Sequence, residues 1–339
     1  MKNMTDYTLN EIHSQPEVWQ QILELCEKEE HKKISEWMSA GQPILTGSGS
    51  SFYLCLTAAA FFTQLSRRRA LAVSGSEVCV FPNAIFSENE TYSPLAVSRN
   101  GKSAETVGAA RWFKESRSTT TVAVTTVTSS PLLDICEPGL LLTPAAEKSR
   151  YMTRSFTGSL LALHYLIATS TGNHEIGREL RKLPEACRRV IECCRSMVKF
   201  IAEEKQFDDY VGLGQGPFYG LAAESMLKVK EMVRAPAEAY PSLEVLHGPN
   251  YLLSKKTLVT LLHAESARTY ELGLLERLRR SGACKFVICE KASTEIRENV
   301  DFVFEIGSGV SELAYLLLMM PVMQLFAYYR ARATGNPLE

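Results

Sequence analysis

Residues 211–233 read Val211-Gly-Leu-Gly-Gln-Gly-Pro217-Phe-Tyr-Gly-Leu-Ala-Ala-Glu224-Ser-Met-Leu-Lys228-Val-Lys-Glu231-Met-Val233. The apolar run that ends at Leu213 predicts a buried strand, and Gly214, Gly216 and Pro217 predict the turn that leaves it. From Pro217 to Val233 the residues are good helix formers. Pro at the start of a helix fits, because its missing N–H has no partner there in any case.

Glu224, Lys228 and Glu231 are spaced four and three apart on that helix, so they share one face. Leu221, Ala222, Met226, Leu227, Val229 and Met232 surround them, which predicts a largely buried helix. Charges are seldom buried unless paired. On an exposed helix the same spacing would give only solvent ion pairs worth ~0.3–0.5 kcal/mol. On a buried one it offers a general base, Glu231, beside a cation that stabilises developing negative charge. Sixteen positions after Glu231, His247 stands in a His-Gly-Pro turn. A histidine in such a loop, downstream of a carboxylate-bearing helix, is an acid/base candidate.

Outward from this stretch, short apolar runs alternate with helical patterns. Strands are expected near 43–46, 71–74, 95–98, 121–125 and 140–143, then near 210–213, 237–240, 258–262, 285–289 and 302–305. Helices are expected over 52–65, 103–115, 155–171, 174–204 (interrupted at Pro184), 217–233, 269–281 and 311–333. A capping box at Ser14-Gln-Pro-Glu17 predicts a further helix running to about Ala40. Gly47-x-Gly49 before Phe52-Tyr53 echoes Gly214-x-Gly216 before Phe218-Tyr219, so the chain is an internal repeat. We expect an α/β protein of two tandem doubly wound parallel-sheet domains with flanking helices, one over 1–173 and one over 174–339. The halves differ at two places, and only the second half carries the Glu/Lys helix. After its third strand the first has Ser98-Arg-Asn-Gly-Lys-Ser103, whose backbone N–H groups and hydroxyls suit a phosphate, while the second has His263-Ala-Glu-Ser266.

The glycine turn, the Ala-Ala-Glu224-Ser-Met-Leu-Lys228-Val-Lys-Glu231-Met helix and the Glu238-Ala-Tyr-Pro-Ser-Leu-Glu-Val-Leu-His247-Gly-Pro segment together resemble the sugar isomerase (SIS) domain family. Within it, the chain is similar to the isomerase half of glucosamine-6-phosphate synthase, to amino-sugar-6-phosphate ketose/aldose isomerases and deaminases, and to fructosamine-6-phosphate deglycases. The resemblance covers nearly the whole chain and implies two flavodoxin-like SIS domains. It implies that Ser98, Arg99, Asn100 and Ser103, with Ser50 and Ser51 on the first glycine turn, hold the phosphate, and that Thr153 lines the sugar site. Asn100 stands where the family often has a second Ser.

Moving a carbonyl between C1 and C2 of a sugar needs a ring-opening acid/base, a carboxylate to take the α-proton, a cation for the enediolate and a fixed phosphate. By resemblance these are His247, Glu231, Lys228 and the serine loop, with Glu224 orienting Lys228, and Glu231 is expected in a cleft between the halves, near Lys228. The resemblance implies no metal or other cofactor, and a homodimer in which His247 reaches a partner's site. It leaves three activities to weigh: isomerase or deaminase acting on an amino-sugar 6-phosphate, deglycase, and non-catalytic phosphosugar sensor. Two departures stand out. No Lys follows Lys291, whereas the synthase ends in a Lys-bearing tail, and Val245-Leu246 precede His247 where the family often has Phe-Arg.

Net charge is −1, which offers no electrostatic footprint for nucleic acid or an anionic membrane. No apolar run reaches ~18 residues, so no membrane span is expected. The polar N-terminus, Met1-Lys-Asn-Met-Thr, predicts neither a secretory leader nor, lacking Cys at position 2, a glutamine-splitting domain. Nine scattered Cys without a Cys-x-x-Cys pair read as reduced thiols in a cytoplasm, and the six His have no metal-ligand spacing.

Overall fold

The computed structural model describes residues 6–28, 38, 40–136 and 140–338. Two compact units emerge, one comprising Ser14–Glu147 and Arg154–Pro184, the other Met1–His13, Lys148–Thr153 and Glu185–Glu339. Each is built on a five-stranded, all-parallel sheet. The ten strands expected from the apolar runs are all present.

The first sheet contains β1 (Gln42–Gly47), β2 (Leu71–Ser74), β3 (Tyr92–Val97), β4 (Val122–Thr125) and β5 (Leu140–Leu141) in the order β2-β1-β3-β4-β5. All six residues of β3 are buried, as a strand covered on both faces requires. Helices α1 (Tyr7–His13) and α2 (Gln15–Cys26) precede the sheet, and α3 (Ser50–Ser66) follows β1. Helix α4 (Gly75–Val80) follows β2, α5 (Ala104–Arg117) follows β3, and α6 (Arg154–Ser170) follows β5. One apolar layer gathers Ile44, Val78, Phe86 and Phe113. Trp19, Phe61 and Phe156 are also fully buried, and Trp19 Nε1 donates to Thr157 Oγ1 at 3.0 Å.

The expected helix starts at Gln15, but the Ser14 side chain does not cap it. The Ser14 backbone is already helical (ψ −2°) and its side chain makes no cap bond, because its hydroxyl instead accepts from Arg154 Nη1 at 3.0 Å. Helix α2 ends at Cys26; of the expected continuation to Ala40, residues 29–37 and 39 lie outside the described residues.

The second sheet contains β6 (Asp209–Gly214), β7 (Ala237–Tyr240), β8 (Thr257–Leu262), β9 (Cys284–Cys289) and β10 (Phe302–Glu305) in the order β10-β9-β8-β6-β7. Numbered from its own first strand, this repeats the order of the first sheet, and both orders are flavodoxin-like. Helices α7 (His174–Leu180) and α8 (Leu183–Glu204) lead to β6, and α9 (Phe218–Lys228) packs on β6 and β7. Helices α10 (Arg268–Leu278), α11 (Thr294–Asn299), α12 (Glu312–Tyr315) and α13 (Met319–Ala333) complete the unit. Gly214 is needed where it stands, because a Cβ there would come within 2.5 Å of the Phe218 carbonyl oxygen.

The last helical stretch, expected over 311–333 and found as Glu312–Ala333, is long and apolar enough to cross a membrane, although no apolar run in the sequence predicts a span. In the fold 89% of its apolar window is buried, so that surface serves the core. No disulfide joins cysteines among the described residues.

Candidate active site

In the second unit, α9 presents Glu224 and Lys228 on its buried face. Both side chains are 0% exposed, and Lys228 Nζ lies 3.2 Å from Glu224 Oε1. The helix does not stay regular to Val233. Residues Val229–Val233 form a π turn, closed by the Arg234 N–H donating to the Val229 carbonyl at 3.1 Å, with Arg234 left-handed at φ 58°. Wider turns of this kind recur at functional sites. Here the turn carries Glu231, whose Oε2 lies 2.5 Å from Lys228 Nζ while 37% of its side chain remains exposed. Asn336 Nδ2 donates to the Val233 carbonyl at 2.7 Å, tying the end of the turn to the residues after α13.

Burial is the largest influence on the Lys228 ammonium and pulls its pKa down, but Glu224, Glu231 and their hydrogen bonds together outweigh it. The net direction is upward, so Lys228 stays charged. The trio is therefore a buried cation held by one inner carboxylate and offering a second carboxylate to a ligand.

His247 follows a 3₁₀ turn (Glu244–Leu246), and Gly248 after it needs glycine's freedom at φ 127°. The imidazole is exposed, and among the described residues no hydrogen bond or ion pair joins it to the trio. Thr153 is buried and its carbonyl accepts from Gln324 Nε2 at 3.1 Å. Among the described residues no three His, Cys, Asp or Glu side chains are grouped to hold a metal.

In the first unit, the loops after β1 and β3 flank the point where the strand order reverses, which is where such sheets bind ligands. Helices α3 and α5 start there, so their unpaired N–H groups face an incoming anion. Ser48 Oγ and Thr106 Oγ1, 3.2 Å apart, bridge the two loops. Ser50 and Ser51 are buried in the first turn of α3. Ser98 is 2% exposed and its Oγ has no hydrogen-bond partner, a hydroxyl that a ligand would satisfy. Ser103 caps α5 with its backbone extended and its side chain making no cap bond, so that hydroxyl is also available.

Three further contacts shape the loop. The Arg99 carbonyl accepts from Thr125 Oγ1, Thr126 Oγ1 and the Thr126 N–H. Asn100 is exposed and turns its Oδ1 to the Lys102 N–H at 3.1 Å, a use for that side chain within the loop. Gly101, at φ 64°, packs so closely that a Cβ would fall 2.1 Å from Ser130 Oγ.

Sequence reading missed four contributors. Glu147, fully buried, takes the Arg99 guanidinium at 3.4 Å and the Ser155 N–H at 3.0 Å. The others are the π turn, Asn336 beneath it, and a buried pair of His263 and Glu271. Each depends on a contact far along the chain or on a local distortion, and the motifs carry no signal for either.

The comparisons agree with the resemblance drawn from the motifs. No family model matches the chain. It is similar to a glutamine–fructose-6-phosphate aminotransferase (isomerizing) of Pyrobaculum aerophilum, 26% identical over 97% of this chain and 55% of that protein. The chain spans about half the length of the curated relatives it matches. Among solved structures it is similar to a glucosamine-6-phosphate deaminase of Thermotoga maritima, at 25% identity and TM-score 0.79, covering 98% of this chain and 96% of that one. It shares its fold with a tagatose-6-phosphate ketose/aldose isomerase of Escherichia coli at TM-score 0.87 and 19% identity, covering 98% and 94%.

Proposed function

We propose that this chain is a phosphosugar isomerase or deaminase acting on an amino-sugar 6-phosphate. The observation that carries the reading is the 2.5 Å contact between half-exposed Glu231 and fully buried Lys228. A carboxylate so held is fixed in place by a cation yet still open to a ligand, which is what abstraction of a proton α to a carbonyl requires.

In this reading His247 opens the sugar ring by passing a proton from the anomeric hydroxyl, which becomes the carbonyl, to the ring oxygen, which becomes the C5 hydroxyl of the open chain. Glu231 takes the proton from C2, or from C1 in the reverse direction, and returns it to the neighbouring carbon. Lys228 stabilises the enediolate or enolamine oxygen while that proton is away. Glu224 holds Lys228 charged and in place. The hydroxyls of Ser51, Ser98 and Ser103 and the helix starts of α3 and α5 take the phosphate. In a deaminase, loss of the C2 amine as ammonia and addition of water complete the conversion to a ketose phosphate. The exposed His247 belongs, in the same reading, to the site of a second copy of the chain in a homodimer.

Tyr251 and Leu252, just beyond the His-Gly-Pro turn, are 86% and 78% exposed. They favour one alternative, a deglycase whose leaving group is a larger amine such as a glycated amino acid. A screen over hexosamine 6-phosphates and fructosamine 6-phosphates, reading ammonia, amino acid and ketose release, separates the two. Binding without turnover of any of them would make the protein a sensor and overturn both.

A further inference from the structure

Helix α10 carries one residue that breaks its own pattern. Positions 271, 274, 275 and 278 lie on one face, and three of them are buried leucines, Leu274, Leu275 and Leu278. The fourth is Glu271, 1% exposed. Burying a carboxylate costs stability unless its oxygens are bonded. Both are. Ser242 Oγ donates to Oε1 at 2.8 Å, the Ala264 N–H donates to Oε2 at 3.1 Å, and His263 Nδ1 lies 2.6 Å from Oε2. Ser242 and His263 are themselves buried.

The three partners come from two loops. Ser242 follows β7, and His263 and Ala264 follow β8. In the sheet these strands lie on either side of β6. Glu271 therefore braces the two loops across the end of the strand that feeds α9, the helix of Glu224 and Lys228. The loop after β7 also carries His247. From Pro241 onward it is a chain of turns. The Glu244 N–H donates to the Pro241 carbonyl at 2.9 Å, the Leu246 N–H to the Leu243 carbonyl at 3.1 Å and the His247 N–H to the Glu244 carbonyl at 3.0 Å. Val245, fully buried, belongs to the same core as the α10 leucines. His247 is exposed, so its place is set by this backbone. A leucine at 271 would complete the core and bond to neither loop, so the carboxylate serves placement.

We infer that Glu271 is a positioning residue for His247: through Ser242 its carboxylate fixes the loop that presents the imidazole, and it anchors that loop to the end of β8. The inference rests on the reading of His247 as the ring-opening acid/base. Such a group must be held within roughly 0.5 Å of its working place, which an exposed side chain on an unbraced loop would not be. Ring opening is the step that His247 serves, so loss of the brace slows only sugars that close a ring.

The test is Ser242→Ala in the full chain, which leaves Glu271 held by His263 and Ala264 and so keeps the fold. Hydrogen exchange should quicken roughly tenfold or more at the Glu244, Leu246 and His247 amides and stay unchanged along β8. Deuterium incorporation from solvent at C1 should fall about tenfold or more with fructose 6-phosphate, which must open its ring. It should hold at the parent rate with 5-deoxyfructose 6-phosphate, which has no C5 hydroxyl to close one. Glu271→Leu should show the same pattern. Unchanged amide exchange in either variant would overturn the brace. Equal losses on the two sugars, or no loss on either, would overturn the role in placing His247. If the parent exchanges neither sugar, the proposed function fails, and the amide exchange still decides the brace by itself.

Discussion

Lys228 Nζ lies 2.5 Å from Glu231 Oε2, so a fully buried ammonium fixes a carboxylate that is 37% exposed. The pair sits where a regular helix gives way to a π turn, with Glu224 behind the cation at 3.2 Å. The inner carboxylate keeps the lysine charged, and the lysine keeps the outer carboxylate in place.

Lys228→Met should strand Glu224 in the core. Removing one member of a buried pair costs about 3–5 kcal/mol. Urea unfolding should show a loss of that size, and adding Glu224→Leu should recover part of it by replacing the pair with apolar volume. A loss under ~1 kcal/mol would mean that the pair is solvated.

Ser98→Ala removes a buried hydroxyl that has no partner within the fold. A hydrogen bond to a charged group is worth about 1.5–3 kcal/mol, so affinity for a sugar 6-phosphate should fall roughly ten- to a hundredfold, with the unphosphorylated sugar unaffected. Gly101→Ala, which drives a Cβ onto Ser130 Oγ at a left-handed position, should do more damage to the same binding. Calorimetry with both sugars checks the assignment, and equal losses for the two would contradict it.

His164 is fully buried and stacked on Phe61 at 3.8 Å, and burial pushes its pKa from the usual 6.5 down to about 3. Above pH 6.5 the ring is neutral in folded and unfolded chains alike, so it has no effect on stability. As pH falls from 6.5 toward 3, the unfolded chain takes up a proton that the folded one refuses, and stability drops by up to about 1.4 kcal/mol per pH unit. His164→Phe should flatten that part of the curve relative to the parent. Parallel curves for the two would show that the ring is not sheltered.

Much of this was legible in the sequence. Parallel strands buried on both faces, such as β3 and β8, read as continuous apolar runs, and glycine turns mark their ends, so strand positions and the repeat were evident. The spacing of Glu224, Lys228 and Glu231 placed them together, and the apolar residues around them indicated burial. What the sequence hid was set by distant contacts. Ser14 looks like a helix cap but is held by Arg154, and nothing near position 263 indicates that His263 meets Glu271 and, through it, Ser242. The π turn is local, yet good helix formers give no sign of it; Asn336 bonds to its last carbonyl from 103 residues away.

The reading that gives His247 to a partner's site predicts complementation. Glu231→Gln and His247→Ala should each be inactive alone, and verified mixed dimers should regain part of the activity, because one of their two sites holds both intact residues. No recovery would place each complete site within one chain.

The central claim is that Glu231 moves a proton to and from carbon. Glu231→Gln keeps the side chain's shape and removes the base, and loss of a general base typically costs ~10²–10⁴-fold. The measurement is solvent deuterium incorporation at C1 or C2 of glucosamine 6-phosphate or fructose 6-phosphate bound to the Glu231→Gln variant. The account predicts that the sugar phosphate still binds while exchange falls by at least a hundredfold. Exchange at the parent rate would contradict it, leaving Glu231 only as the outer partner of a salt bridge.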